Sequence, residues 1–190
     1  MPLQVIVNKF FKKEQFAQKR LPIGEYEGCN FLDCDFTGAD LAGITFIDCS
    51  FEDCNLSMTK IQNSSFKTVQ FINCKLLGLN FNECNPFLLS LSFDHCPLNL
   101  ASFYKLKLKG IKFRDCDLRE ADFTESDLTL SSFENCNLER AVFEQTILIK
   151  ADLRTSFNYS IDPTINRIQK SKHSRNGIAG LLDKYDIVIE

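Results

Sequence analysis

FLDCDFTGADLAGITFIDCSFEDCNL, residues 31–56, carries a large apolar residue at every fifth position: Phe31, Phe36, Leu41, Phe46, Phe51 and Leu56. Two positions before five of these six stands cysteine or alanine, and Ile44 precedes Phe46. A helix repeats at about 3.6 residues and a strand at 2, and neither sustains a period of five. A short extended piece followed by a corner does. The apolar centre and the residue two before it then point inward, the residue between them points outward, and the next two residues turn the chain. Gly38, Gly43, Gly78, Gly110, Asp33, Asp53, Asn73 and Asn135 occupy those turning places, and these residue types suit tight turns.

Working outward, the centres run unbroken from Tyr26 to Phe81. The register slips by two residues within CNPFLLS, residues 84–90, resumes at Leu88 and Phe93, and continues to Leu153. The cysteines give the number of corners per coil. Cys34, Cys54 and Cys74 lie twenty apart, as do Cys96, Cys116 and Cys136, so four repeats make one coil with four faces. Cut this way, Phe31, Phe51, Phe71, Phe93, Phe113 and Phe133 share one face, hereafter the Phe face, and the six cysteines share the next. The expected architecture is a solenoid of about six and a half coils rising ~4.8 Å each, a rod of roughly 30 Å.

CNFLD, CDFTG, ADLAG, CSFED, CDLRE, ADFTE and CNLER follow the pattern A/C–D/N–L/F–x–x, and over residues 24–155 the chain resembles the pentapeptide-repeat family. That resemblance implies an all-β fold, a right-handed quadrilateral β-helix. Residues 1–23 keep the phase at Phe11, Phe16 and Leu21 but place Lys9, Glu14 and Lys19 at inward positions, and are read as an N-terminal cap made of a strand-like start and a helical turn. Residues 156–190 lose the repeat and are read as a capping and dimerisation segment. Asp162–Pro163 predicts a helix start. Ile178, Leu181, Leu182 and Tyr185 have helical spacing, and DIVI at 186–189, with Ile187 and Ile189, predicts a terminal strand. Val142, Ile147 and Ile149 are apolar at outward places of what the repeat makes the last coil, a candidate dimer surface.

The ending narrows the resemblance. A final helix and short apolar strand are similar to the ending of the quinolone-resistance pentapeptide proteins, and IDPTINRI is similar to a stretch of the microcin B17 immunity protein. The resemblance implies a protein that binds DNA gyrase or topoisomerase IV and protects it, the rod imitating duplex DNA. The long projecting loops of strongly protecting members have no counterpart here beyond the two-residue slip.

Charge is zoned along the chain. Residues 24–57 hold eight acids and no base, residues 58–112 seven lysines against Glu83 and Asp94, and residues 113–155 ten acids and five bases. Asp33, Asp53 and Asp115 fall in one corner column, a candidate partner-facing acidic column; equally, Asp and Asn suit such corners whatever the partner. Met58, Leu77 and Leu100 form an outward apolar patch on the cysteine face, the mark of a scaffold for another protein partner. The nine cysteines face inward, where a ladder of parallel side chains does not converge on a metal as zinc or iron–sulfur sites require. The sequence shows two histidines without an identifiable partner, and carries no glycine-rich phosphate loop. We therefore expect no enzyme, no metal and no cofactor. With no apolar segment of signal or transmembrane length, a soluble cytoplasmic protein is expected, a homodimer through its C-terminal segment, with no direct nucleic-acid or membrane contact.

Overall fold

The computed structural model describes residues 4–188. The chain winds as a parallel β-solenoid. Gln4–Val7, Gly24–Glu27, Thr45–Ile47 and Ser65–Lys67 form a four-stranded sheet on one face. The Phe face is a nine-stranded sheet, built in order from Phe10–Lys12, Asn30–Leu32, Ser50–Glu52, Val69–Ile72, Leu91–Asp94, Lys112–Arg114, Ser132–Glu134, Asp152–Leu153 and Lys172–His173. The other two faces are held by single bridges such as Asp35↔Asn55 and Asp122↔Val142. Register confirms the twenty-residue coil: Phe31 lies opposite Phe51, and Phe51 opposite Phe71. Across the slip the spacing becomes twenty-two, with Phe71 opposite Phe93.

The centres form the core. Phe31, Phe51, Phe71, Phe93, Phe113 and Phe133 stack face to face with ring centroids 4.6–5.4 Å apart, close to the coil rise. Phe81, Phe103, Phe123 and Phe143 form a second stack at 5.0–5.1 Å. The two stacks meet edge to face, as at Phe103 and Phe113, 5.6 Å apart and 81° inclined; both arrangements suit the aromatic quadrupole.

The residue two before each centre has a second task. Cys49, Cys54 and Cys74 each donate Sγ–H to the carbonyl of the residue 23 earlier, Tyr26, Phe31 and Phe51. Thr59, Ser64, Thr146 and Ser156 do the same through hydroxyls, to Phe36, Leu41, Phe123 and Phe133. A small side chain with one donor satisfies a buried corner carbonyl, which explains the preference for cysteine. All nine cysteines are free and buried, and burial pushes the Cys84 and Cys96 thiols up to about 12. Thiolate is the reactive form. A maleimide should therefore label none of the nine under native conditions and all nine after unfolding, by mass; native labelling of two or more would contradict this inward ladder.

At most corners the second residue is left-handed. Along the Phe face corner, Asp33, Asp53, Asn73, His95, Asp115 and Asn135 have φ between 51° and 55°, a region that Asp and Asn enter at less cost than most side chains.

Four expectations are corrected. Leu88 is not an inward centre: it is 63% exposed at a left-handed corner, Pro86 at the phase of a centre is exposed as well, and the half-buried Leu89 reaches the core instead. The N-terminal residues are a genuine first coil. Gln4–Val7 pairs with Gly24–Glu27, Phe10–Lys12 pairs with Asn30–Leu32, and the Lys9 ammonium lies over the Phe11 ring at 4.9 Å. The repeats do not stop at residue 155, since a further coil ends at Lys172–His173. Asp162–Pro163 starts no helix: Asp162 caps a turn by accepting from the Thr164 amide at 2.7 Å. The tail then makes two short 3-10 turns, Gly177–Leu181 and Asp183–Tyr185. Residues 186–188 lie in no strand, and Ile189 is outside the described residues.

The tail covers the C-terminal end. Leu181 packs on the core, and the Ile161 amide donates to Gly180 O at 2.8 Å. Ser171 Oγ donates to Ile168 O and so accepts from His173 Nε2, which leaves His173 Nδ1 to accept from the Tyr159 hydroxyl at 2.9 Å. Burial lowers the His173 pKa, consistent with a neutral ring.

Candidate partner-binding surfaces

The acidic column lies where the repeat positions it, and each of its carboxylates is engaged by a neighbour one coil away. Asp33 faces Lys13 Nζ at 3.8 Å, Asp53 accepts from Asn73 Nδ2, and Asp115 accepts from Asn135 Nδ2 at 2.6 Å. His95 Nε2 adds a contact to Asp115 at 3.5 Å. The column is a hydrogen-bonded ladder running from coil to coil, and the corner preference explains its composition without a partner.

The carboxylates left over are elsewhere. Within residues 24–57 only Asp33 and Asp40 form ion pairs, with Lys13 and Arg20 of the first coil. Glu25, Glu27, Asp48 and Glu52 form none among the described residues. Glu25, Glu27 and Asp48 sit on the four-stranded face and Glu52 on the adjoining Phe face. In residues 113–155, by contrast, Asp115, Asp117, Glu120, Glu125, Asp127 and Asp152 all pair with a nearby base. Arg154 beside Asp152, and Arg114 beside Asp94, hold those carboxyls below their ordinary range. Asp122, Glu134, Glu139 and Glu144 form no ion pair among the described residues either, so acids without one number six of eight in residues 24–57 and four of ten in residues 113–155, and the N-terminal third of the rod is the denser of the two.

The residues of the apolar patch are all exposed. Met58 is 64% exposed, Leu77 42% and Leu100 55%. Gly78 separates them along the corner, and the Met58 Sδ lies where a Cβ at 78 would sit 2.8 Å away. Met58 and Leu100 have φ of 58° and 59°, so they are both strained and exposed. A second outcrop escaped the sequence reading: Phe87 and Leu88, on the four-stranded face, are exposed by the slip. The available signal was Pro86 falling on an inward centre.

At the C-terminal end the candidate surface is split. Val142 is exposed and Ile147 and Ile149 half-buried, but they lie one coil inside the end, because Ile147 pairs with Arg167. Leu181 and Leu182 are at least half-buried, whereas Ile178, Tyr185 and Ile187 are exposed.

Asp94, His95 and Asp115 form a cluster of potential metal ligands. Asp94 contacts the ring at Nδ1, 2.6 Å, and Asp115 at Nε2, so the carboxylates lie against opposite nitrogens. Arg114 also engages Asp94, with its Nε at 2.9 Å. The ring bridges two acids rather than converging with them on one ion. The depressions beside it are open troughs along the sheet, lined by Gln70, Ser92, Lys112 and Glu134, without the enclosure of a small-molecule site. Among the described residues no helix is long and apolar enough to cross a membrane.

Comparison with known proteins accords with this geometry. Residues 29–67 match the model of pentapeptide repeats in eight copies, and residues 64–143 that of the pentapeptide repeat region. No curated protein matches the sequence. Among solved structures, a trypsin-treated variant of QnrB1, a plasmid-mediated fluoroquinolone resistance protein, is 20% identical, with a TM-score of 0.61 over 98% of this chain and 100% of that one. Full-length QnrB1 is 18% identical, with a TM-score of 0.50 over 97% and 99%. HetL from the cyanobacterium Nostoc sp. strain PCC 7120, involved in heterocyst differentiation regulation, is 14% identical, with a TM-score of 0.45 over 91% and 88%. At these identities the likeness is one of fold, a right-handed quadrilateral β-helix.

Proposed function

This chain belongs to the pentapeptide-repeat family, and from that premise we propose a non-enzymatic binding protein that occupies the DNA site of DNA gyrase or topoisomerase IV and protects the enzyme from quinolones or peptide toxins. The observation that carries the reading is the cluster of carboxylates without ion pairs, Glu25, Glu27, Asp48 and Glu52, on adjoining faces of a rod. A groove that binds the phosphate backbone is cationic, and such a cluster presents the complementary potential on a rigid support. The likeness of fold to a fluoroquinolone resistance protein is consistent with it. The C-terminal segment is where two copies meet, and the protein acts in the cytoplasm without a cofactor.

The test is DNA supercoiling by purified gyrase, with and without a fluoroquinolone, across a titration of this protein. Rescue of the poisoned reaction, or inhibition of the unpoisoned one, is the expected result. Glu25→Lys with Glu27→Lys and Asp48→Lys should raise the concentration required by about tenfold or more, because like charges then face each other. No effect at micromolar protein overturns the reading.

A second reading, a structural scaffold for a different protein, is favoured by one observation: Met58 and Leu100 are large apolar residues in left-handed corners, where neither burial nor backbone preference accounts for them. Leu77→Ser with Leu100→Ser separates the two, since it leaves the gyrase effect unchanged when the acidic coils carry binding.

A further inference from the structure

One wall of the rod is broken in its middle. On the four-stranded face and its continuation, neighbouring coils are tied by a regular pair of backbone bonds. Asp127 shows the pattern: its amide donates to Leu106 O at 2.9 Å and its carbonyl accepts from the Leu108 amide at 2.8 Å. Ile147 and Arg167 repeat it on the coils that follow. Lys107, the equivalent residue one coil earlier, has neither bond. Among the described residues no backbone hydrogen bond or bridge joins 84–88 to 106–110. Pro86 stands where the donor to Lys107 O belongs, and proline has no N–H. Phe87 and Leu88 beside it are 66% and 63% exposed.

Water reaches deeper here than on the same wall further along. Leu106 and Leu108 keep 5% and 4% exposure, against 0% for Ser126, Leu128, Thr146 and Leu148. A trough runs along the open edge, lined by Leu89, Leu91, Leu108 and Ile111 with the exposed Lys107 and Lys109. Its surroundings are cationic. Residues 64–68, 84–90 and 106–110 of this wall hold Lys67, Lys107 and Lys109 and no acid, and Lys112 follows on the Phe face. Lys109 pairs with Asp127 at 3.3 Å, whereas Lys67, Lys107 and Lys112 form no ion pair among the described residues.

We propose that this break is a docking edge for an extended acidic segment of a partner protein. Three observations define the occupant. The N–H and C=O of Lys107, which its equivalents spend on the coil before, are a template for an added peptide backbone. The trough and the Phe87 and Leu88 side chains take a large apolar residue of that segment. Lys67, Lys107 and Lys112 select carboxylates on either side of it, by complementary charge. A phosphate backbone would satisfy the lysines but brings no donor for Lys107 O. Neither the acidic coils nor the C-terminal segment takes part, so this surface stands apart from the gyrase reading and survives its failure.

Selection of short random peptides displayed on phage, against the full chain, tests this. Enrichment of sequences that set Asp or Glu on both sides of a Phe, Leu or Ile is the expected result. A synthetic peptide of the enriched sequence should slow hydrogen exchange at the Lys107 amide, read by NMR. Its affinity should fall about tenfold in Lys107→Glu with Lys112→Glu, because repulsion replaces attraction. Lys60→Glu with Lys75→Glu makes the same change of net charge on the other two faces and should alter the affinity by less than about twofold, since separated surface charges are screened. No enrichment of acidic peptides would overturn the proposal, as would an enriched peptide indifferent to Lys107 and Lys112 or one that leaves the Lys107 amide unprotected. A short single-stranded DNA that binds and is lost in the Lys107 and Lys112 variant, where no peptide is enriched, would overturn it in favour of a nucleic acid.

Discussion

Phe113→Ala is expected to cost roughly 3–5 kcal/mol of unfolding free energy, the range for deleting a buried aromatic ring from a core that cannot collapse. Phe113 is fully buried. Its ring stacks on Phe93 at 5.2 Å and Phe133 at 5.1 Å, and meets Phe103 and Phe123 edge-on. The coils above and below are fixed to each other by the backbone ladder through Lys112, Phe113 and Arg114. They cannot close the space by moving together, so the lost transfer energy and the cavity term both remain. The solenoid also adds an effect absent from a globular core. Each coil contacts only its neighbours, so weakening the middle coil tends to divide unfolding into two halves. The sequence has no tryptophan, and urea unfolding is best followed by circular dichroism. A loss near the upper end with a reduced m-value would report that division. A loss below about 1 kcal/mol would contradict the placement of Phe113. Phe157→Ala, at an outward and half-exposed position, is the matched control and should cost well under half as much.

Those parts of the fold that follow from side-chain size and periodicity were legible in the sequence. The five-residue period gave the corner, and the cysteine spacing gave four faces, because inward positions are chosen by packing and repeat faithfully. The errors fell where packing ceases to choose. Inside the slip, Leu88 and Leu89 are identical in type, and only the backbone decides which is turned inward. In the first coil Lys9 occupies an inward position because its face is the open end, where a long side chain can lie across Phe11 and keep its charge in water. In the last coil Asn166, Ser171 and His173 replace apolar residues, and each finds its hydrogen bonds within that coil or the one before it, at Thr146, Phe143, Asp162, Ile168 and Tyr159. Terminal repeats of a solenoid are atypical, and the repeat seemed to end twenty residues early. The candidate surfaces were less legible still. The acidic column was visible as composition, but the contacts of its aspartates with Lys13, Asn73 and Asn135 join positions twenty residues apart. The same holds for Glu25, Glu27, Asp48 and Glu52, whose lack of an ion pair depends on what stands opposite them on neighbouring coils.

The last coil provides the second large effect, at Asn166. Its side chain is buried and fully used: Oδ1 accepts from the Thr146 amide at 2.8 Å, and Nδ2 donates to Phe143 O at 2.8 Å and Asp162 O at 2.9 Å. One side chain thus joins the final coil to the one before it. Asn166→Ala removes both partners' complements and strands Thr146 N–H and Phe143 C=O in the interior. Each buried group left without a partner costs about 1–3 kcal/mol, and the two sites share one residue, so a combined loss of about 3 kcal/mol is expected rather than the sum. The consequence should be local. Residues 156–188 hold to the rod through this coil and the tail upon it, so they should exchange their amide hydrogens faster while the coils before Phe133 keep their protection. Asn166→Asp is the discriminating companion. It retains the acceptor for Thr146 but sets a buried carboxylate oxygen against the Phe143 and Asp162 carbonyls, so it should cost at least as much as Asn166→Ala at neutral pH and recover stability as the carboxyl takes up a proton in acid, which restores one donor. No recovery in acid would contradict the two carbonyls as partners of Asn166. Exchange that quickens uniformly along the rod would contradict the last coil as a separate unit and would make the C-terminal end inseparable from the stacked core.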